Sequence, residues 1–480
     1  MKTRLALLLC VVGVSGYAQS PGTFTATGSM TTPRVSHTAT LLLDGRILIA
    51  GGEFDSSSLS SAEIYNPATG TFTPTGSMTR PRYTHSATLL PDGRVLIAGG
   101  FGPLESTKSG DCPLPSSCGF LTNAEIYDPS SGTFTATGDM IALGGPAVLL
   151  PEGKVFLSAH VGSSAGSPPP HAQLYDPSNA TFSATTAETP PEYLATLLAN
   201  GQVLLTGDFA GDGELYDPST DTFSPTNNVD YETATLLMNG KVLFISDPED
   251  DLFHFNNEAQ LYDPSTSTYA AAGSMTIARD QHRATLLPDG TVLIAGSELL
   301  GGGALANAEI YDPVLGTFGP TGSMMTARYS HNATLLNNGQ VLVTGGQFAL
   351  FPATTSSAEL YTPSRLVPAP ALFSLSGDGQ GQGAIWHAIT GQIASSQDPA
   401  TGGDILSMYT TSLFEGGVIP PQVSIGGQLA EVLFFGDAPG YPGYFQVNFR
   451  VPSGVAPGSA VPVRLTYIGR LSNAVTIGVQ

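Results

Sequence analysis

The residues best suited to chemistry come as one pattern used four times. Arg-x-x-His occurs as Arg34/His37, Arg82/His85, Arg279/His282 and Arg328/His331. Arginine offers a rigid fork of donors that matches carboxylates and sugar hydroxyls. A cluster of such pairs would make an anion- or hydroxyl-recognising site. The opposing reading is structural: each Arg or His bonds the backbone of a neighbouring unit, because repeated positions usually serve the repeat. The acidic run Asp247-Pro-Glu-Asp-Asp251 offers oxygen ligands but lacks the spacing of a calcium loop, so a solvated turn accounts for it. No zinc motif, nucleophile elbow or phosphate loop is present.

The four pairs each precede a hairpin that recurs along the chain. In one copy, residues 87–90 read as a short apolar strand and Pro91-Asp92-Gly93 as a tight turn. Residues 94–98 read as a second strand rich in branched side chains, and Gly99-Gly100 as a sharp exit. The hairpin is apolar enough to be buried on both faces. Three markers recur seven times each: the turn glycines (Gly45, Gly93, Gly153, Gly201, Gly240, Gly290, Gly339), the Tyr of a Tyr-x-Pro turn, and a Thr-Phe or Thr-Tyr pair. Each repeat therefore supplies four strands. A four-stranded sheet cannot bury both faces alone, but sheets arranged radially bury one another. The first marker is Phe24, a fourth strand without a hairpin; the last is Tyr361, a third strand without a successor. The N-terminal strand must complete the last blade, which closes a ring of seven and covers two edges.

The double glycines Gly51-Gly52, Gly99-Gly100 and Gly345-Gly346, followed by Tyr-Asp-Pro and an aromatic at fixed offsets, resemble the kelch-repeat family over residues 21–365. The pattern weakens at Ser158-Ala159, Gly207-Asp208 and Ser246-Asp247. The resemblance implies that the segment leading into each blade shares a face with the loop between its second and third strands, the family's usual partner-binding face. The Arg-x-x-His pairs fall in blades six, seven, one and two, which ring closure makes contiguous. Blades three to five carry Gly144-Gly-Pro-Ala147, Pro191-Glu-Tyr-Leu194 and Asp230-Tyr-Glu-Thr233 instead.

Residues 366–371 form a stiff Pro-rich linker. Residues 372–480 lose the repeat and read as alternating strands between Gly/Pro turns, an immunoglobulin-like sandwich. Val423-Ser-Ile-Gly-Gly427, residues 441–457 and Ser472–Gln480 resemble an uncharacterised C-terminal domain of exported acidobacterial (Solibacter-type) proteins. The expected fold class is thus all-β: a seven-bladed kelch-type propeller over residues 19–365, then the sandwich. A galactose-oxidase-like enzyme has the same architecture. Its copper-radical site implies a cysteine-linked tyrosine, a Tyr-His pair and a C-terminal-domain histidine. This chain has no adjacent Tyr-His, and its one C-terminal-domain histidine, His387, sits in a predicted strand.

Residues 1–18 read as a secretory signal, with Lys2 and Arg4 before the apolar run Leu5 to Val14, too short to span a membrane. Cys112 and Cys118, seven residues of one loop apart end to end, are expected to pair in an oxidising compartment. The formal net charge of −22 excludes a nucleic-acid partner. The expectation is a secreted, non-catalytic binding protein without cofactor or metal, whose propeller recognises an extracellular glycan or protein through the Arg/His arc. A galactose-oxidase-like carbohydrate oxidase and a structural cell-surface protein are the alternatives.

Overall fold

A computed structural model describes residues 21–104, 118–159, 171–186, 194–206, 213–226, 233–245, 256–299, 303–349 and 353–480. The expected signal peptide, Cys112 and the acidic run at 247–251 lie outside the described residues. Among the described residues every regular element is a strand. None forms a helix long and apolar enough to cross a membrane.

The repeat folds as seven four-stranded antiparallel blades. Blade one shows the plan: Thr38–Leu41, Ile47–Ala50, Ala62–Asn66 and Thr71–Pro74, paired in that order. The ring closes through the N-terminus. Thr23–Ala26 pairs with Ala358–Thr362, placing Phe24 opposite Tyr361. First strands of successive blades touch all round the ring, including blade seven to blade one. The second strands, such as Ile47–Ala50 and Val95–Ala98, are buried along their whole length. The first strands are only half-buried, because they line the axis and pack on one side. The sequence alone suggested burial on both faces.

Adjacent blades are stitched at the rim by a tyrosine–threonine seam. The Tyr65 hydroxyl bonds Thr27 Oγ1 at 2.9 Å, Tyr127 bonds Thr75 at 2.9 Å, and Tyr361 bonds Thr321 at 2.9 Å. Each threonine follows the fourth strand of the preceding blade. Blade five has Ala272 at this position, and the facing Tyr311 hydroxyl is buried with no hydrogen-bond partner among the described residues.

The C-terminal residues form a curled eight-stranded sheet that fits an immunoglobulin-like sandwich. Its core includes Val423, Val447, Phe449, Val463 and Ile477. It packs on the face of the propeller formed by the hairpin turns. Val418 N donates to Met238 O at 2.9 Å, and Leu471 N to Asn337 Oδ1 at 2.9 Å. Buried Arg470 ties the preceding linker down, donating to Val367 O at 2.7 Å and Pro368 O at 2.9 Å.

Candidate functional site

The four Arg-x-x-His segments lie at the ring face opposite the C-terminal sheet, each just before its blade's first strand. All eight side chains are buried: the arginines are 0% exposed and the histidines 6% or less. Each arginine turns into its own blade and pairs with a glutamate on the third strand. The pairs are Arg34–Glu63 and Arg82–Glu125 at 3.0 Å, Arg279–Glu309 at 3.0 Å and Arg328–Glu359 at 2.8 Å. The same guanidinium donates to the double-glycine turn: Arg34 Nη1 to Gly51 O at 2.8 Å, Arg82 Nη1 to Gly99 O at 2.8 Å. The glutamate's other oxygen accepts a backbone N–H of the leading segment, as Glu63 does from Thr31 at 2.8 Å. Burial lowers each guanidinium's pKa from its ordinary value, and the paired carboxylate opposes the shift. The latch thus fastens three pieces of one blade with charge-assisted hydrogen bonds.

The histidines work between blades. His37 Nε2 shares a 2.9 Å hydrogen bond with Thr344 Oγ1 of blade seven. His85 Nε2 shares one of 3.0 Å with Thr38 of blade one, and His282 Nε2 one of 3.1 Å with Thr233 of blade five. Burial, then the charges of Arg34 and Arg283, hold His37 down at about 3, so it is neutral at ordinary pH. His85 and His331 are held well below the ordinary value, chiefly by burial.

The double glycines belong to the same device. Gly51 has φ +62°, and a Cβ there would sit 2.5 Å from Arg82 O and 2.7 Å from His85 Cε1 of the next blade. Gly52 N donates to Arg82 O at 2.9 Å and Gly346 N to Arg34 O at 2.9 Å, so the blades are also welded by backbone. Arg-x-x-His, the double glycine and the glutamate two residues before the tyrosine form one latch. In blades three to five the arginine and the double glycine are lost together. Blade three has Gln173 at the glutamate position, bonded to Ile141 N and Ala142 O at 2.9 Å each, and no arginine. Blade four keeps Glu214 without its arginine. One of its oxygens is buried with no partner among the described residues, and burial raises its pKa.

The arc therefore does not present arginine or histidine to a ligand. The expected recognition surface is the interior of a latch, because each guanidinium finds its carboxylate within its own blade. The sequence reading missed the glutamates. Their signal was present: Glu63, Glu125, Glu309 and Glu359 occur in the four blades that carry the arginine. Cys118 begins the strand Cys118–Phe120, which pairs with Phe101–Pro103; its expected partner, Cys112, is outside the described residues.

Among the described residues no group of three or more His, Cys, Asp or Glu is placed to hold a metal ion. The arc histidines are enclosed between blades, and His387 in the C-terminal sheet lies 3.7–3.8 Å from Asp398 and Asp404. The described residues do not fit a copper centre.

A Kelch motif matches residues 34–79. No curated protein matches the sequence. Among solved structures, the chain is similar to a fungal alcohol oxidase of the AA5 family in complex with copper, at a TM-score of 0.59 and 16% identity, covering 96% of this chain and 99% of that one. At that identity the likeness establishes the fold. It also corrects the expectation of a non-catalytic binding protein that is not an enzyme. From end to end, the chain has an architecture on which an oxidase is built.

Proposed function

We propose that the chain is an oxidase-like enzyme acting on an alcohol, with the hydroxyl of a sugar or other polyol as the substrate class. One observation carries the reading: the likeness to the fungal alcohol oxidase runs through the propeller and the C-terminal sheet together, rather than the propeller alone. A reaction of this class takes two electrons from the alcohol carbon, passes them to dioxygen, and yields a carbonyl product and hydrogen peroxide. Among the described residues no group of three or more His, Cys, Asp or Glu is placed to hold a metal ion for such a step. Export through residues 1–18 would place the enzyme where extracellular polyols occur.

The test is peroxide release by the purified mature chain, residues 19–480, after incubation with Cu(II). Galactose, glycerol and benzyl alcohol are offered in turn. Peroxide that depends on the alcohol supports the proposal; none from folded, copper-treated protein refutes it.

A further inference from the structure

We propose that the outer face of the C-terminal sheet is a binding site for a neutral, hydroxyl-rich saccharide. Three strands, Ile385–His387, Ile405–Thr410 and Phe445–Arg450, alternate in and out. Ile385, Leu406, Met408, Val447 and Phe449 point to the core and are at most 1% exposed. The residues between them, Trp386, Tyr409, Gln446 and Asn448, turn outward and are half-buried, and Ser407 on the same side is covered at 2% exposed. Register sets them in rows. Trp386 lies opposite Ser407, Ser407 opposite Asn448, and Asn448 opposite Phe434 of the next strand; Tyr409 lies opposite Gln446.

The rows make a platform of rings edged with amides. Trp386 and Tyr409 are 5.0 Å apart, edge to face, and Tyr409 lies 5.6 Å from Tyr441. Gln446 Nε2 donates to Asn448 Oδ1 at 2.9 Å and Ser407 Oγ at 3.2 Å, and Ser407 Oγ donates to Asn448 Oδ1 at 2.6 Å. The network orients the amides without consuming all their donors and acceptors. Tyr441 is 56% exposed, on a loop stiffened by Pro439 and Pro442. Tyr441 N donates to Ala438 O at 3.1 Å, and Ala438 N to Tyr444 O at 2.9 Å. A ring held this way loses little entropy on binding.

The chemistry selects the occupant. A pyranose has an apolar C–H face, which a ring covers, and a rim of hydroxyls, which amides can meet. On this face Arg450 and Glu431 neutralise each other, engaged at 2.8 Å. On a chain of formal charge −22 this neutral platform repels no uncharged polyol and offers nothing to a charged partner. The site is independent of the oxidase reading, since binding here needs neither metal nor turnover.

The experiment is isothermal titration of the mature chain, without copper, against cello-, xylo-, manno-, malto- and chitohexaose. Wild type is compared with Tyr441→Ala, at an exposed position, and Gln446→Ala, at a half-buried one. The expected result is binding of at least one hexasaccharide, weakened about tenfold or more by each substitution. No binding in the panel overturns the proposal, as does an affinity unchanged in Tyr441→Ala. Sedimentation showing wild type, but not Tyr441→Ala, to be a dimer assigns the face to a second copy and also overturns it.

Discussion

Replacing Arg82 by methionine isolates what one latch contributes. Arg82 and Glu125 are both fully buried, 3.0 Å apart. In Arg82→Met, Glu125 keeps the backbone donors Thr79 N at 2.7 Å and Arg80 N at 3.3 Å but loses its counter-charge. Stranding a buried carboxylate costs about 3–5 kcal/mol. A propeller of this length unfolds with an entropy of roughly 0.7 kcal/mol/K, so the thermal midpoint falls by about 4–7 °C. Blade three shows how the position is held without charge, through Gln173 and its two backbone partners. Adding Glu125→Gln to Arg82→Met copies that solution and recovers most of the loss, because a neutral amide removes the stranded charge and keeps an acceptor. Calorimetry of the wild type, both single variants and the double variant gives the coupling directly. A midpoint within about 1 °C of wild type for Arg82→Met, or a double variant no better than it, refutes the latch.

Three further outcomes follow from the same geometry. Ala272→Thr supplies the missing partner of Tyr311 and raises stability by about 1 kcal/mol, whereas Tyr65→Phe, which breaks a formed seam bond, lowers it by a similar amount; denaturant midpoints decide both. His37 is held at about 3 when folded against an ordinary 6.5, so the unfolded chain binds the extra proton between those values. The stability its neutrality gives is complete above about pH 6.5 and is lost as pH falls towards 3. His37→Asn should flatten the difference in midpoint between pH 7 and pH 4, and an unchanged difference contradicts the assignment. Deleting residues 21–27 removes the strand paired with Ala358–Thr362 and uncovers that strand's edge. The shortened chain is expected to aggregate or melt well below wild type in a scattering-monitored melt, and an unaltered melt contradicts closure through the N-terminus.

Most of the fold was legible because it rests on local signals. Each turn glycine, such as Gly93 with φ +93°, marks a hairpin that forms where expected. The unpaired Phe24 and Tyr361 pointed to the closure that their opposite register displays. The site was less legible because side-chain direction is not a local property. Arg34 and His37 are three residues apart, yet one turns into its own blade and the other reaches blade seven. Only the glutamate, 29 residues beyond Arg34, tells the two uses apart. The outer face of the C-terminal sheet was invisible for a related reason: Trp386, Tyr409, Tyr441 and Gln446 come from separate strands and a loop, and only register assembles them.

The measurement closest to the central claim is oxygen uptake by the copper-incubated mature chain on glycerol and galactose, run beside the Arg82→Met/Glu125→Gln protein. The proposed oxidase activity predicts alcohol-dependent uptake at similar rates in both, because the latched arc is scaffold. Folded protein that consumes no oxygen with either alcohol would contradict the enzyme reading, and uptake lost only in the double variant would contradict the assignment of the arc.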